Sequence, residues 1–392
     1  MVKVKKRTII FLSLMIVSVF LILGYIAGSW FPLFPTNFTY PLVEEARILL
    51  EKYSYYPIPE DIMLERGMIH GLTQSLGDPY SLYLDPVEHE LEDANLSGEY
   101  GGIGVELHFD LDEKKAYIYP YPGSPAENSG ISEGDILLQV EDIILNSEFT
   151  LQEVTALLRG PVPSTVEVTI EKASPPHLIE TLSIERKTFS IPSVHGYLHP
   201  DDADIAVIHI KMFSDRTADE LGAVLSDLSE RGARAVILDL RGNNGGMLCA
   251  AVETASQFLK EGTIVSEIRR DGKMKEFTVN QNGDTWYGPL AILVDEGTAS
   301  AAEVVAASLQ EHKRAVVIGR KTFGKGSVQV VVTLSDESSL HITNAIWKTP
   351  EGRSLEGSGI EPDIFINADN SASQDSDMAA AVEWLHNEGL IQ

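Results

Sequence analysis

From about residue 187 onward, apolar runs of strand length alternate with segments of helical period. This alternation constrains the fold more than any other feature of the chain. DIAVIHIKMF, ARAVILDL, PLAILVD, AVVIG and VQVVVTL are short and rich in β-branched residues, as strands are. TADELGAVLSDLSERG, MLCAAVETASQFL and TASAAEVVAASLQEH lie among them and have helical pattern. The first of these places Leu221, Val224, Leu225 and Leu228 on one face, with a Thr217/Glu220 capping box at its start. Repeated β-α-β order predicts a layered α/β domain with a partly parallel sheet over residues 187–370. A polar linker and a short helix fill 371–392.

Upstream the pattern changes. Residues 98–186 carry GEYGGIGVELHFD, KKAYIYPY, DILLQVEDIIL, STVEVTIEK and HLIETLSIER, which predict a β-rich domain. One helix interrupts it at TLQEVTALLRG, with a Thr150/Glu153 capping box and Gly160 at its end. Residues 37–97 read as helical, from LVEEARILLEKY and EDIMLERGMIHGLTQSLG. Residues 1–36 hold KVKKR and then twenty uncharged, mostly apolar residues from Thr8 to Ala27. Such a helix spans about 30 Å, one bilayer core. An uncleaved, single-pass membrane anchor is expected, with cleavage after Ser29 as the alternative. The basic flank keeps the N-terminus cytoplasmic and everything after Trp30 extracytoplasmic.

The formal net charge is −28, and the first 28 residues contribute four basic groups and no acid, which leaves −32 on the remainder. A body this acidic excludes nucleic acid as a partner, since phosphate backbones need basic faces. The single cysteine, Cys249, excludes an intramolecular disulfide and a cysteine-based zinc site, and its apolar run predicts a buried structural thiol.

Residues 319–329, GRKTFGKGSVQ, begin like a phosphate-binding loop. Gly326 stands where that loop needs Ser or Thr, and SVQVVVTL after it reads as a strand instead of the required helix. An ATPase is therefore disfavoured. A partly buried Lys325 has a lowered pKa and, once neutral, can take a proton from a serine. DEGTASAAEVV supplies a serine at a helix start, Ser300, where free N–H groups favour developing negative charge. By this pattern Ser300 is equally a nucleophile or a plain helix cap. The double glycine of DLRGNNGGM can provide exposed N–H groups for half of an oxyanion hole, or be an ordinary turn. S-x-x-K, G-x-S-x-G and H-E-x-x-H are absent, and the ten histidines do not cluster.

Together DLRGNNGG, GTASAAE, GRKTFGKGSVQ and KTPEGRSLEGSGIEPDI resemble the carboxyl-terminal processing peptidases, or tail-specific proteases, over about residues 40–366. The resemblance implies an α/β protease core of the ClpP/crotonase-like type, a PDZ domain and a helical N-terminal region. It implies Ser300 as nucleophile, Lys325 as general base and Gln329 as its support. Backbone N–H groups of Gly246 and Ala301 would hold the oxyanion. YGGIGVEL resembles the carboxylate-binding loop of a PDZ domain, so Tyr100, Gly101, Gly102, Ile103 and Gly104 are expected to form a nest for a substrate's C-terminus. The following edge strand would accept the peptide. Arg159 is a candidate link between PDZ domain and core, or a solvated helix-end cation. The function implied is a membrane-anchored serine endopeptidase that takes unstructured, apolar C-terminal tails, needs no cofactor or metal, and forms a homodimer by family habit. A catalytically silent PDZ adaptor is the alternative.

Overall fold

The computed structural model describes residues 40–110, 115–146, 149–160, 162–280, 286–367 and 375–387. The apolar segment from Thr8 to Ala27 lies outside them. Among the described residues no helix is long and apolar enough to cross a membrane. Contacts divide the chain into residues 1–67 and residues 68–392. In the first unit the helix Pro41–Tyr53 forms with Pro at its first turn and a further helix begins at Asp61, as the sequence pattern predicts. All three sheets belong to the second unit.

The six-stranded sheet runs Ile364–Phe365, Val316–Gly319, Leu290–Val294, Ala235–Asp239, Asp202–Ile210 and Val194–His199. The first five are parallel and the last is antiparallel. Strand period two sorts their side chains onto two faces. Ala206, Ile208, Val236, Leu238 and Ile292 pack with the helices Thr217–Glu230, Leu248–Ser256 and Ala301–Glu311. Ile205, Val207, Ile237, Leu293 and Ile318 pack instead with Ala381 and Leu385 of the C-terminal helix Ser376–Asn387. Both faces are dry, and each such side chain contributes about 1.5–3 kcal/mol of burial.

A second, antiparallel sheet pairs Ser339–Lys348 with Leu82–Leu84, Thr263–Arg269 and Ser327–Thr333, and carries Met274–Thr278 beyond Thr263–Arg269. The strand Ser327–Thr333 settles the nature of GRKTFGKGSVQ: strand, loop, strand, with no helix to receive a phosphate. Several elements depart from the sequence pattern. Leu82–Leu84 is a strand within the region expected to be helical, too short to show a period of its own. Thr217 and Glu220 form no capping box. Glu220 instead accepts the Ser193 amide at 2.7 Å and its hydroxyl at 2.8 Å, tying the helix to the preceding chain. Cys249 is exposed, not buried: it opens its helix on the solvent side, with Ala250 and Ala251 turned inward.

The third sheet orders its strands Glu99–Gly102, Ile179–Ser190, Ser164–Glu171, Asp135–Val140, Lys115–Pro120 and Val105–Asp110, with Ile143–Ile144 on Asp135–Val140. Its helix Leu151–Leu158 has the expected capping box, with the Glu153 amide donating to Thr150 Oγ1 at 3.2 Å. At the other end the buried Arg186 guanidinium donates to the carbonyls of Leu157 and Leu158 at 3.0 and 3.1 Å, satisfying orphan acceptors of the last turn.

Candidate active site

The buried strand Leu290–Val294 delivers the chain to a tight turn at Asp295. Asp295 Oδ1 accepts the amides of Gly242 and Gly297 at 2.9 and 3.0 Å, so it joins two loops. Thr298 is fully buried and donates from Oγ1 to the Leu240 carbonyl at 2.9 Å. Ser300 follows as N-cap of the helix Ala301–Glu311, with φ 58° and ψ −120°. A left-handed φ on a residue with a Cβ costs on the order of 1–3 kcal/mol, and such strain persists only where the surroundings over-determine it. Here the Ser300 amide donates to Glu303 Oε2 at 2.8 Å. The first amides of the helix, Ala301 among them, need acceptors from outside it.

The double-glycine turn is seated against that helix start. Asn243 is buried; its Nδ2 donates to the Ile210 carbonyl and its Oδ1 accepts the Gly245 amide, both at 2.8 Å. The Ala299 amide donates to the Asn243 carbonyl at 2.9 Å. A side chain at Gly245 would come within 2.7 Å of Ser300 Cβ, so only glycine allows this approach. Gly246 has φ 129°, and a Cβ there would overlap the Phe213 carbonyl, which accepts the Met247 amide at 2.8 Å. Gly246→Ala should therefore displace the turn from the helix start at Ser300 and lower kcat by roughly 100-fold, the cost of about 1 Å of misplacement, with little change in KM. Steady-state kinetics on the folded variant checks this.

Lys325 sits in the loop before the strand Ser327–Thr333. Its glycines serve backbone packing. A Cβ on Gly324 would lie 2.8 Å from the Gly359 amide nitrogen, and one on Gly326 would overlap the Glu356 backbone. The Gly357 amide donates to the Gly324 carbonyl at 2.9 Å, and Thr322 and Ile360 exchange further bonds. This explains why KTPEGRSLEGSGIEPDI accompanies GRKTFGKGSVQ. Glu303 completes the arrangement. Its carboxylate, fully buried, accepts the amides of Gly324 at 2.8 Å and Lys325 at 2.9 Å, the Thr322 hydroxyl, and the Ser300 amide. One side chain thus ties the backbone of Ser300 to that of Lys325. Nothing in the sequence pattern singled out Glu303, because a glutamate three residues into a helix reads as a capping residue.

Ser300, Lys325, Gln329, Gly245 and Gly246 line one cavity of about 950 Å³. Its apolar lining includes Met212, Met247, Leu248, Val328 and Trp347. Lys325 Nζ lies 5.2 Å from the Tyr80 ring centroid. Burial pushes the Lys325 pKa down, while the carboxylates of Glu92, Glu356 and Asp78 pull it back up. Gln329 donates to Ser327 Oγ at 3.0 Å and Thr343 Oγ1 at 3.1 Å. Among the described residues no hydrogen bond joins Lys325 to Ser300 or Gln329. Catalytic hydrogen bonds commonly tighten only when substrate is bound. A histidine also reaches this cavity: the buried His341 has Nε2 2.8 Å from Glu92 Oε2. Cys249 lines the same cavity, and partial desolvation of its sulfur by the cavity wall raises its thiol pKa although the residue is exposed, which keeps it protonated.

The residues of the expected carboxylate nest lie partly in a strand and partly in a turn. Tyr100, Gly101 and Gly102 belong to a strand paired with Lys187, Thr188 and Phe189. Ile103 is buried in the domain core, and its carbonyl accepts the Ala126 amide at 2.8 Å. Gly104 makes the turn at φ 77°, where a Cβ would meet Ser124. All five line a small groove with Leu107, Leu158 and Arg159. Among the described residues the strand Val105–Asp110 is the last in the order of its sheet. Arg159 stacks over the Tyr100 ring, 5.3 Å from its centroid.

These features define an α/β core with a serine at a helix start beside a buried lysine, joined to a β-rich domain of the PDZ type. Residues 204–366 match peptidase family S41 and residues 118–172 match a PDZ domain. The chain is 34% identical over 313 residues to the carboxy-terminal processing protease CtpA of Bacillus subtilis, covering 80% of this chain and 66% of that protein. It is 32% identical over 317 residues to the carboxy-terminal-processing protease of Bartonella bacilliformis, covering 80% of this chain and 71% of that one. A Bacteroides fragilis protein assigned to the S41 proteases shares the fold at a TM-score of 0.55 and 19% identity, over 92% of this chain and 100% of that one. The chain belongs to peptidase family S41, among the carboxy-terminal processing serine proteases, and carries a PDZ domain.

Proposed function

We propose that the chain is a membrane-anchored endopeptidase that captures protein C-terminal tails in its PDZ groove and cuts them with a Ser300/Lys325 dyad. Ser300 Oγ attacks the peptide carbonyl while neutral Lys325 Nζ takes its proton. The N–H groups of Gly246 and Ala301 receive the oxyanion. Lys325 then gives the proton to the leaving amine and activates the water that hydrolyses the acyl-enzyme. Gln329 supports the lysine from the neighbouring strand. The observation that carries this reading is the Glu303 carboxylate, which accepts the backbone amides of both Ser300 and Lys325. The lowered Lys325 pKa supports the base role, and the apolar cavity wall suits apolar substrate side chains. The groove between the edge strand Val105–Asp110 and the helix Leu151–Leu158 supports tail capture by strand addition. The helices on one face of the six-stranded sheet fit a ClpP/crotonase-like core. The anchor rests on the length of the stretch from Thr8 to Ala27 and its basic flank.

The test uses the full chain in detergent and an unstructured protein with an apolar C-terminus. Cleavage is expected, together with its loss when the tail's last residues are made acidic or when Ser300→Ala is used. Tail binding without any turnover by the unaltered chain would instead establish the silent adaptor.

A further inference from the structure

Two arginines stand at matching places in the site. Arg241 lies five residues before Gly246, and Arg320 lies five residues before Lys325. Each opens one of the two loops that converge on Ser300. Arg241 Nε donates to Asp239 Oδ1 at 2.9 Å and its Nη2 to Asp239 Oδ2 at 2.7 Å, which fixes the guanidinium at the strand end. Its other edge is bidentate on Asp375, at 2.8 and 2.9 Å. Arg320 Nε donates to the exposed Glu296 at 2.9 Å. Both guanidinium groups then meet on Asp377, Arg320 Nη1 at 3.0 Å and Arg241 Nη1 at 3.4 Å. Asp377 is buried and sits in the first turn of the helix Ser376–Asn387. That helix is locked to the far side of the core sheet by Ala381 and Leu385, so its carboxylates are held by a rigid element.

We infer that the C-terminal helix is a latch for the catalytic loops: Asp377, with Asp375, is a positioning residue that sets the double-glycine turn through Arg241 and the lysine loop through Arg320. A buried carboxylate shared by two arginines fixes direction as well as distance, because each guanidinium presents its donors in a rigid plane. Asp239 and Asp375 hold the other donors of Arg241, and Glu296 holds Nε of Arg320. Misplacement of reacting groups by about 1 Å costs on the order of 100-fold in rate, which makes the latch visible in catalysis.

This inference rests on the reading that these loops carry the oxyanion donor and the base, so Lys325→Ala is run beside it. Asp377→Asn keeps the shape and removes the charge. With the full chain and an apolar-tailed substrate, kcat should fall roughly 10- to 100-fold while KM stays within about twofold. Acylation of Ser300 by a fluorophosphonate should slow in parallel, and a tail peptide should still bind with unchanged affinity. Asp375→Asn touches a more exposed carboxylate, which accepts from Arg241 and from the Met378 amide at 3.1 Å; it gives the same split at smaller size and decides the matter if Asp377→Asn unfolds. The latch is overturned if both folded variants keep kcat and acylation rates within about twofold of the unaltered chain while Lys325→Ala is inactive. If Lys325→Ala itself cuts normally, the dyad is what fails, and the two failures are distinct.

Discussion

Lys325→Ala should abolish peptide cleavage, lowering kcat/KM by about 10,000-fold or more, with the fold intact. Removal of a general base alone costs roughly 100- to 10,000-fold, and members of a nucleophile–base unit fall together, so Ser300→Ala and the double variant should look the same. The fold survives because Lys325 is held through its backbone amide, which donates to Glu303 and is untouched by the substitution. The pH dependence follows from the groups around Nζ. A base role for Lys325 requires the neutral amine, so under the proposed dyad kcat/KM is expected to rise with pH until Lys325 is deprotonated. Burial brings that limb below the ordinary lysine value of 10.5, and Glu92, Glu356 and Asp78 oppose the shift. Glu92→Gln removes the foremost of these opposing charges, so the limb should move to lower pH. It also leaves His341 without its carboxylate neighbour at 2.8 Å. A limb that stays in place would show that Lys325 does not report it.

Glu303→Gln should give the largest loss of stability for a conservative change, together with loss of activity. The carboxylate, fully buried, accepts three backbone amides and the Thr322 hydroxyl. An amide in its place must turn an NH₂ toward donors and leave buried N–H groups unpaired, at about 1–3 kcal/mol each. A total of about 3 kcal/mol corresponds to a fall in melting temperature of roughly 6–12 °C for a domain of this size. Activity should fall further than stability, since Ser300 keeps its left-handed φ of 58° through this bond. Thermal unfolding and kinetics on the same preparation separate the two effects.

The parts legible in the sequence were those encoded locally. Alternating strand and helix signals gave the four central strands of the six-stranded sheet but neither edge strand, and Thr150/Glu153 marked a real helix start. The strand after GRKTFGKGSVQ excluded a phosphate loop, because its β-branched residues cannot hide a helical period. What stayed hidden depended on distant partners. Glu303 meets Thr322, Gly324 and Lys325, which are 19 to 22 residues away. Glu220 turned to Ser193, 27 residues back, although its spacing from Thr217 matched a capping box. Cys249 sits in an apolar run, yet the helix face it occupies opens on the cavity. Tyr100 to Gly102 look like a glycine loop but are paired in a strand, since the partner residues Lys187–Phe189 lie 85 to 89 residues on in the register.

The central claim is that Ser300 is a nucleophile whose proton goes to Lys325. A serine-directed fluorophosphonate applied to the full chain, followed by peptide mass spectrometry across a pH series, measures this most directly. The account predicts a single modified residue, Ser300, labelled faster as pH rises and not labelled above background in Lys325→Ala. Label on another residue, or labelling of Ser300 at an unchanged rate in Lys325→Ala, would contradict it.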